Sequence, residues 1–213
     1  MNQVIKLKKL SSLSYFSRNT LSQVLNITDK NLYETIQRWI RKGLLIQLKR
    51  GLYVTREYYN NNARKDDYYM FIANKLKEPS YLSLEFILQK YGIISESIFG
   101  YSSITLKLKR NYLNEFGTFI YRNITERLFT GFTIQTYGNY EIKEATKMKA
   151  LFDYLYLKLL RIQAIDLQLL RSYRFNLDKL TKKEEKELLL YCNLTEIKKY
   201  INLLSILKDA YDI

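Results

Sequence analysis

The sequence predicts an α+β protein: an N-terminal winged helix-turn-helix domain, followed by a larger mixed domain with a small antiparallel sheet and C-terminal helices. Three observations carry this expectation. Within residues 2–54, runs with helical apolar spacing lead to a glycine-closed helix and then to a short hairpin. Residues 103–142 contain segments that alternate with period two, as half-buried strands do, and from residue 147 the spacing returns to that of helices.

In the first helix, placed over residues 2–13, Val4, Leu7 and Leu10 recur at three-residue spacing. An extended stretch, Tyr15-Phe16-Ser17, follows. Thr20 can cap a second helix that reaches Asn26 and buries Leu21, Val24 and Leu25, and Asn26-Ile27 makes a tight turn. Thr28 or Asp29 caps a third helix, whose Leu32, Ile36, Trp39 and Ile40 form an apolar stripe at i, i+4, i+7 and i+8. Gly43 ends it. Residues 44–48 and 52–54 read as two strands joined by Lys49-Arg50-Gly51, a wing with a cationic tip. The polar, aperiodic stretch from Asn60 to Lys65 places a domain boundary between residues 62 and 63.

Charge singles out the same segment. The chain carries 35 Lys and Arg against 21 Asp and Glu, a net charge of +14 that predicts a polyanionic partner. Residues 1–62 hold 11 basic and 3 acidic side chains, more than half of that excess. On the polar face of the third helix lie Lys30, Asn31, Glu34, Gln37, Arg38 and Arg41, long side chains able to reach base edges or phosphates in a major groove. The expected division of labour has Lys30, Asn31, Glu34, Gln37 and Arg38 reading bases. Arg41 and Lys42 would then hold phosphates, and Lys49 and Arg50 would reach the flanking backbone or minor groove. Trp39 belongs to the apolar stripe and is expected in the core.

Beyond residue 62, helices are expected over residues 66–77, with Asp66 and Asp67 at the favourable end of the dipole, and over 84–91, capped by Ser83 and closed by Gly92. Strands are expected at 103–109, where Ile104, Leu106 and Leu108 alternate with polar residues, and at 117–124, 131–137 and 140–142. Four helices follow, at 147–160, 164–173, 181–191 and 195–209. Thr181 and Glu184 supply a capping box for the third.

Composition closes off several chemistries. With no His and a single Cys, Cys192, the sequence offers no imidazole base, no His-bearing zinc site and no intrachain disulfide, which fits a reducing cytoplasm. No apolar run approaches the roughly 20 residues of a membrane span, and residues 1–6 do not lead into a signal-peptide core. No phosphate-binding glycine loop is present. Glu141-Ile142-Lys143 has the acidic-x-Lys form used by metal-dependent nucleases, but that chemistry needs a second carboxylate from a nearby strand, and no Asp lies between Asp67 and Asp153. Asp153, set between Leu151 and Leu155, reads as a structural hydrogen-bonding residue. The expectation is a binding protein with no catalytic residue, cofactor or metal.

Four blocks carry a family resemblance: Arg50-Gly51-Leu52-Tyr53-Val54, Tyr81-Leu82-Ser83-Leu84-Glu85 leading to Tyr91-Gly92-Ile93-Ile94, Gly117-Thr118-Phe119-Ile120-Tyr121, and residues 149–157 from Lys149-Ala150-Leu151-Phe152-Asp153 onward. In this order, over residues 15–160, they resemble the AbiEi family of antitoxins and transcriptional regulators. The family often has a Pro-Glu pair where Lys147-Met148 stands here. The resemblance implies a winged helix that binds inverted repeats in its own promoter, and an effector domain at residues 63–213. That domain would counteract a nucleotidyltransferase toxin in phage defence by abortive infection, without requiring a stable complex. The alternative is a stand-alone repressor whose second domain senses a ligand or protein, for which 20 Tyr and 10 Phe could line a pocket.

Overall fold

The structure, a computed structural model, describes residues 3–27, 29–96 and 100–213, without the side chains of Gln3, Val4 and Asp29. The expected cap at Thr28 or Asp29 and the side chain of Val4 therefore lie outside the described residues. The chain forms two compact units, residues 1–69 with 112–117, and residues 70–111 with 118–213. Among the described residues no helix is long and apolar enough to cross a membrane.

The first unit runs α1 (Gln3–Lys8), β1 (Phe16–Ser17), α2 (Arg18–Leu25), α3 (Asp29–Arg41), β2 (Leu45–Lys49), β3 (Leu52–Thr55) and α4 (Arg56–Asn61). The cap of α2 is Ser17, not Thr20: the Ser17 hydroxyl accepts from the Thr20 N–H, because a cap must stand outside the helix to reach its third residue. Asn26 closes α2 in the left-handed conformation (φ 54°). At the end of α3 the Gly43 N–H bonds to the Ile40 carbonyl at 2.9 Å and the Leu44 N–H to the Trp39 carbonyl at 2.9 Å. This termination needs the positive φ of 65° that glycine adopts without strain. The three strands pair antiparallel in the order β1-β3-β2. Their inner face and the three helices enclose a core of Leu7, Leu10, Phe16, Leu21, Leu25, Leu32, Ile36, Trp39, Leu45 and Tyr53.

The expected boundary between residues 62 and 63 falls in the link from α4 to α5 (Lys65–Leu76), and the first unit continues to Tyr69 within α5. Beyond Tyr69 the chain continues through β4 (Ser80–Leu82), α6 (Leu84–Lys90), β5 (Tyr101–Thr105), β6 (Arg110–Asn114), β7 (Gly117–Asn123), β8 (Phe132–Tyr137) and β9 (Tyr140–Ala145), all of the second unit except residues 112–117 of β6, β7 and their turn. Then come α7 (Lys147–Leu159), α8 (Leu167–Ser172), α9 (Lys182–Leu194), α10 (Lys198–Ile201) and α11 (Leu203–Tyr211).

Its sheet corrects the expectation of a small antiparallel one. Six strands run in the order β6-β7-β5-β4-β9-β8, and they are mixed: β5 pairs parallel with β7 and β4 with β9, while β4 with β5 and β8 with β9 are antiparallel. Two strands had no period-two signal to give. All three residues of β4 are buried, whereas β6 is exposed or half-exposed along its length, so neither alternates. The strand expected at 103–109 lies instead at Tyr101–Thr105. Ile104 is buried as expected, but Leu108 stands in the following loop, 85% exposed.

Three helical expectations also change: among the described residues the first helix, expected over residues 2–13, ends at Lys8, where the chain passes into turns. The helix expected at 195–209 is broken, with Glu196 at φ 56° ahead of α10, and α8 begins only after Asp166, whose side chain accepts from the Leu169 N–H. The capping box at Thr181 and Glu184 is formed in full at the start of α9.

Candidate nucleic-acid interface

Helix α3 has two sharply different faces. Leu32, Ile36 and Trp39 are each 2% exposed, while Lys30, Asn31, Glu34, Arg38 and Arg41 are exposed, Gln37 is half-buried, and Lys42 stands exposed just past the last turn. At about 1.5 Å per residue, the 13 residues of α3 make a rod about 20 Å long, enough to lie along a major groove. Its outer surface carries a shallow depression lined by Tyr33, Glu34, Gln37, Arg38 and Arg41. At its edge, a long contact of 3.4 Å links an Arg38 guanidinium nitrogen to the hydroxyl of the buried Thr35.

The hairpin of β2 and β3 follows α3 in the chain, its register shifting between Gln47 and Lys49 before the turn. Arg50 is exposed at the tip. Lys49 is not presented in the same way: it is half-buried, its ammonium 6.0 Å from the ring centroid of Tyr112. Residues 112–117, counted with this unit, also place the Asn114 amide on the Leu48 carbonyl at 2.9 Å and Glu115 against Arg56 at 2.8 Å. Phe116 completes an aromatic cluster with Tyr59, Tyr68 and Tyr69, at centroid distances of 4.8, 5.6 and 5.1 Å. The first turn of α2 is tied to the hairpin tip, since the Arg18 N–H donates to the Gly51 carbonyl at 3.0 Å.

No family model matches this chain, and no curated protein matches it. The case for this face therefore rests on its own chemistry. α3 brings together Lys30, Asn31, Glu34, Gln37, Arg38 and Arg41, with Lys42 at its end and Arg50 on the hairpin. Lys49 is drawn toward Tyr112. Two residues of the same surface escape the sequence reading. Tyr33, 59% exposed, counts as apolar by composition yet sits on the polar face, one helical turn before Gln37. Arg18, exposed, is brought to the hairpin tip by β1, a two-residue strand too short to leave a pattern.

The second unit uses its charges differently. Lys149 and Asp153, one turn apart on α7, are both wholly buried and pair at 2.5 Å. The other Asp153 oxygen accepts from the Ser83 hydroxyl at 2.7 Å and the Tyr81 hydroxyl at 3.0 Å, and the Lys149 ammonium also donates to the Leu128 carbonyl at 2.8 Å. The rings of Tyr81, Phe152 and Tyr191 surround that ammonium at 4.9 to 5.9 Å. Burial holds the Asp153 carboxyl above the ordinary carboxylate range against the pull of Lys149, and burial holds Lys149 below the ordinary lysine value. Two sequence blocks seventy residues apart thus meet in one network. Ser83 serves it rather than capping α6 with its side chain. The side chains of Tyr81, Ser83, Lys149 and Asp153 are all buried, and together they tie α7 to β4 and to the residue that leads into α6. Cys192 is likewise buried, which pushes its thiol up to about 12 and keeps it protonated and inert at neutral pH.

Proposed function

We propose that residues 3–55 act as a winged helix-turn-helix that binds double-stranded DNA, and that the chain is an autoregulatory transcriptional repressor. The observation that carries this reading is the outer face of α3, where a row of cationic and amide side chains stands opposite the buried Leu32, Ile36 and Trp39. Lys30, Asn31, Glu34, Gln37 and Arg38 meet base edges, Arg41 and Lys42 hold phosphates, and Arg50 contacts the flanking backbone or minor groove. Arg18 and Tyr33 join them. Lys49 contributes from the side of the wing, where Tyr112 orients it. Fluorescence anisotropy on the duplex upstream of the gene tests the reading. Arg38→Ala with Arg41→Ala should weaken binding at least about thirtyfold, taking about 1–3 kcal/mol per contact. Unchanged affinity in Lys49→Ala/Arg50→Ala would remove the wing from the interface.

The resemblance to the AbiEi family supports a second role, neutralisation of a nucleotidyltransferase toxin by the second unit in a cytoplasmic toxin-antitoxin pair. The two blocks that meet at Asp153 are among those that carry it. Coexpression with the product of the adjacent gene separates the roles: the Arg38→Ala/Arg41→Ala variant should lose repression yet still restore growth. An adjacent product that is not toxic contradicts the antitoxin role.

A further inference from the structure

Strands β4 and β9 pair in parallel at Leu82 and Glu144 and part toward their starts. At Lys143 the place of the missing strand is taken by the Asn74 carboxamide, which accepts from the Lys143 N–H at 2.6 Å and donates to its carbonyl at 3.2 Å. The gap holds a cavity of about 640 Å³, within the usual range for small-molecule sites, lined among others by Phe71, Glu78, Ser80, Ile134, Glu141 and Lys143. Ser80 is 2% exposed and its hydroxyl has no hydrogen-bond partner among the described residues. A buried hydroxyl left unpaired costs free energy that a ligand can recover.

The charges of the cavity wall narrow the ligand. Glu78 is engaged by Lys75 at 2.9 Å. Glu141 and Lys143 are exposed at alternate positions of β9, so both stand on the same side of the strand, about 7 Å apart along it. A divalent cation fits this wall poorly. Its second carboxylate already holds a lysine, two ammonium groups flank the opening, and no group of three acidic, His or Cys side chains able to hold a metal occurs among the described residues. We propose that the cleft between β4 and β9 binds a small zwitterion of the amino-acid class. Its ammonium goes to Glu141, its carboxylate to Lys143, an apolar body lies against Phe71 and Ile134, and a polar atom reaches Ser80.

The site is lined by residues of the second unit alone, and its test reads binding directly. Isothermal titration of the full chain with each of the twenty common amino acids should find one that binds at one molecule per chain. Its decarboxylated amine and its N-acetyl derivative should each bind at least about tenfold more weakly, since each lacks one charged partner. Glu141→Gln and Lys143→Met should show the same loss, and Ser80→Ala a smaller one, with DNA affinity unchanged in all three. The proposal is overturned if no amino acid binds, if the charge-stripped analogues bind as well as the parent, or if Mn²⁺ alone binds at a site that Glu141→Gln abolishes.

Discussion

The two units place charge in opposite ways. In the first, the buried side chains among the described residues are apolar apart from Thr35 and Thr55, and the basic side chains of α3 face out. In the second, a lysine and an aspartate pair in the interior, where the Tyr81 and Ser83 hydroxyls donate to the aspartate and the Leu128 carbonyl accepts from the lysine. Desolvating such a pair costs several kcal/mol per ion, recovered only through good geometry and further hydrogen bonds. The outward charges of the first unit cost little to hold and remain available to a polyanion. The difference teaches where to look for partners: exposed charge marks a candidate interface, and buried charge marks a joint of the fold.

The sharpest way to break this contrast is to remove one half of the buried pair. Asp153→Ala leaves Lys149 as an uncompensated buried charge and should destabilise the protein by about 3–5 kcal/mol in urea unfolding, while Lys149→Met with Asp153→Leu should recover most of that loss. A single-variant loss below about 1 kcal/mol would place the pair in water. Gly131→Ala probes the same joint sterically. A Cβ there would lie 2.2 Å from the Tyr191 hydroxyl and 2.9 Å from Lys149 Cδ, at a backbone φ of 74°. The expected cost is about 2–3 kcal/mol, read from the same transition.

A smaller effect is expected at the cap of α9. Thr181→Ala should cost about 1 kcal/mol. The Thr181 N–H holds the Glu184 carboxyl below its ordinary value of 4.5. A carboxyl depressed by folding contributes stability above its unfolded pKa and loses it as pH falls through the lower folded value. The difference between wild type and Thr181→Ala should therefore shrink in unfolding titrations taken below about pH 4. A gap independent of pH would show that the Thr181 hydroxyl does not hold the Glu184 carboxylate.

How much was legible in the sequence follows the same divide. The apolar stripe of α3, the glycine that ends it and the hairpin after it are local signals, each set by residues a few positions apart, and the elements stand where those signals put them. The cap of α2 was misplaced by three residues because Ser17 and Thr20 are equally good acceptors, and only the two-residue pairing of β1 with β3 decides between them. In the second unit the decisive contacts are long-range. Tyr81 and Ser83 reach Asp153 across about seventy residues, and β4 shows no alternation because it is buried throughout. Asp153 was readable as structural from its place between two core leucines, but its partners were not. The cavity beside Glu141 and Lys143 was equally hidden, since it depends on where β4 parts from β9.

The central claim is that the outer face of α3 is a DNA-binding surface, and the salt dependence of binding tests it most directly. Anisotropy titrations of wild type, Arg41→Ala and Arg50→Ala on the upstream duplex, repeated across a range of salt, should give a steep linear fall of log affinity with log salt. The slope should flatten by about 0.9 for each phosphate contact removed. A wild-type affinity insensitive to salt, or identical slopes in the three proteins, would contradict the account.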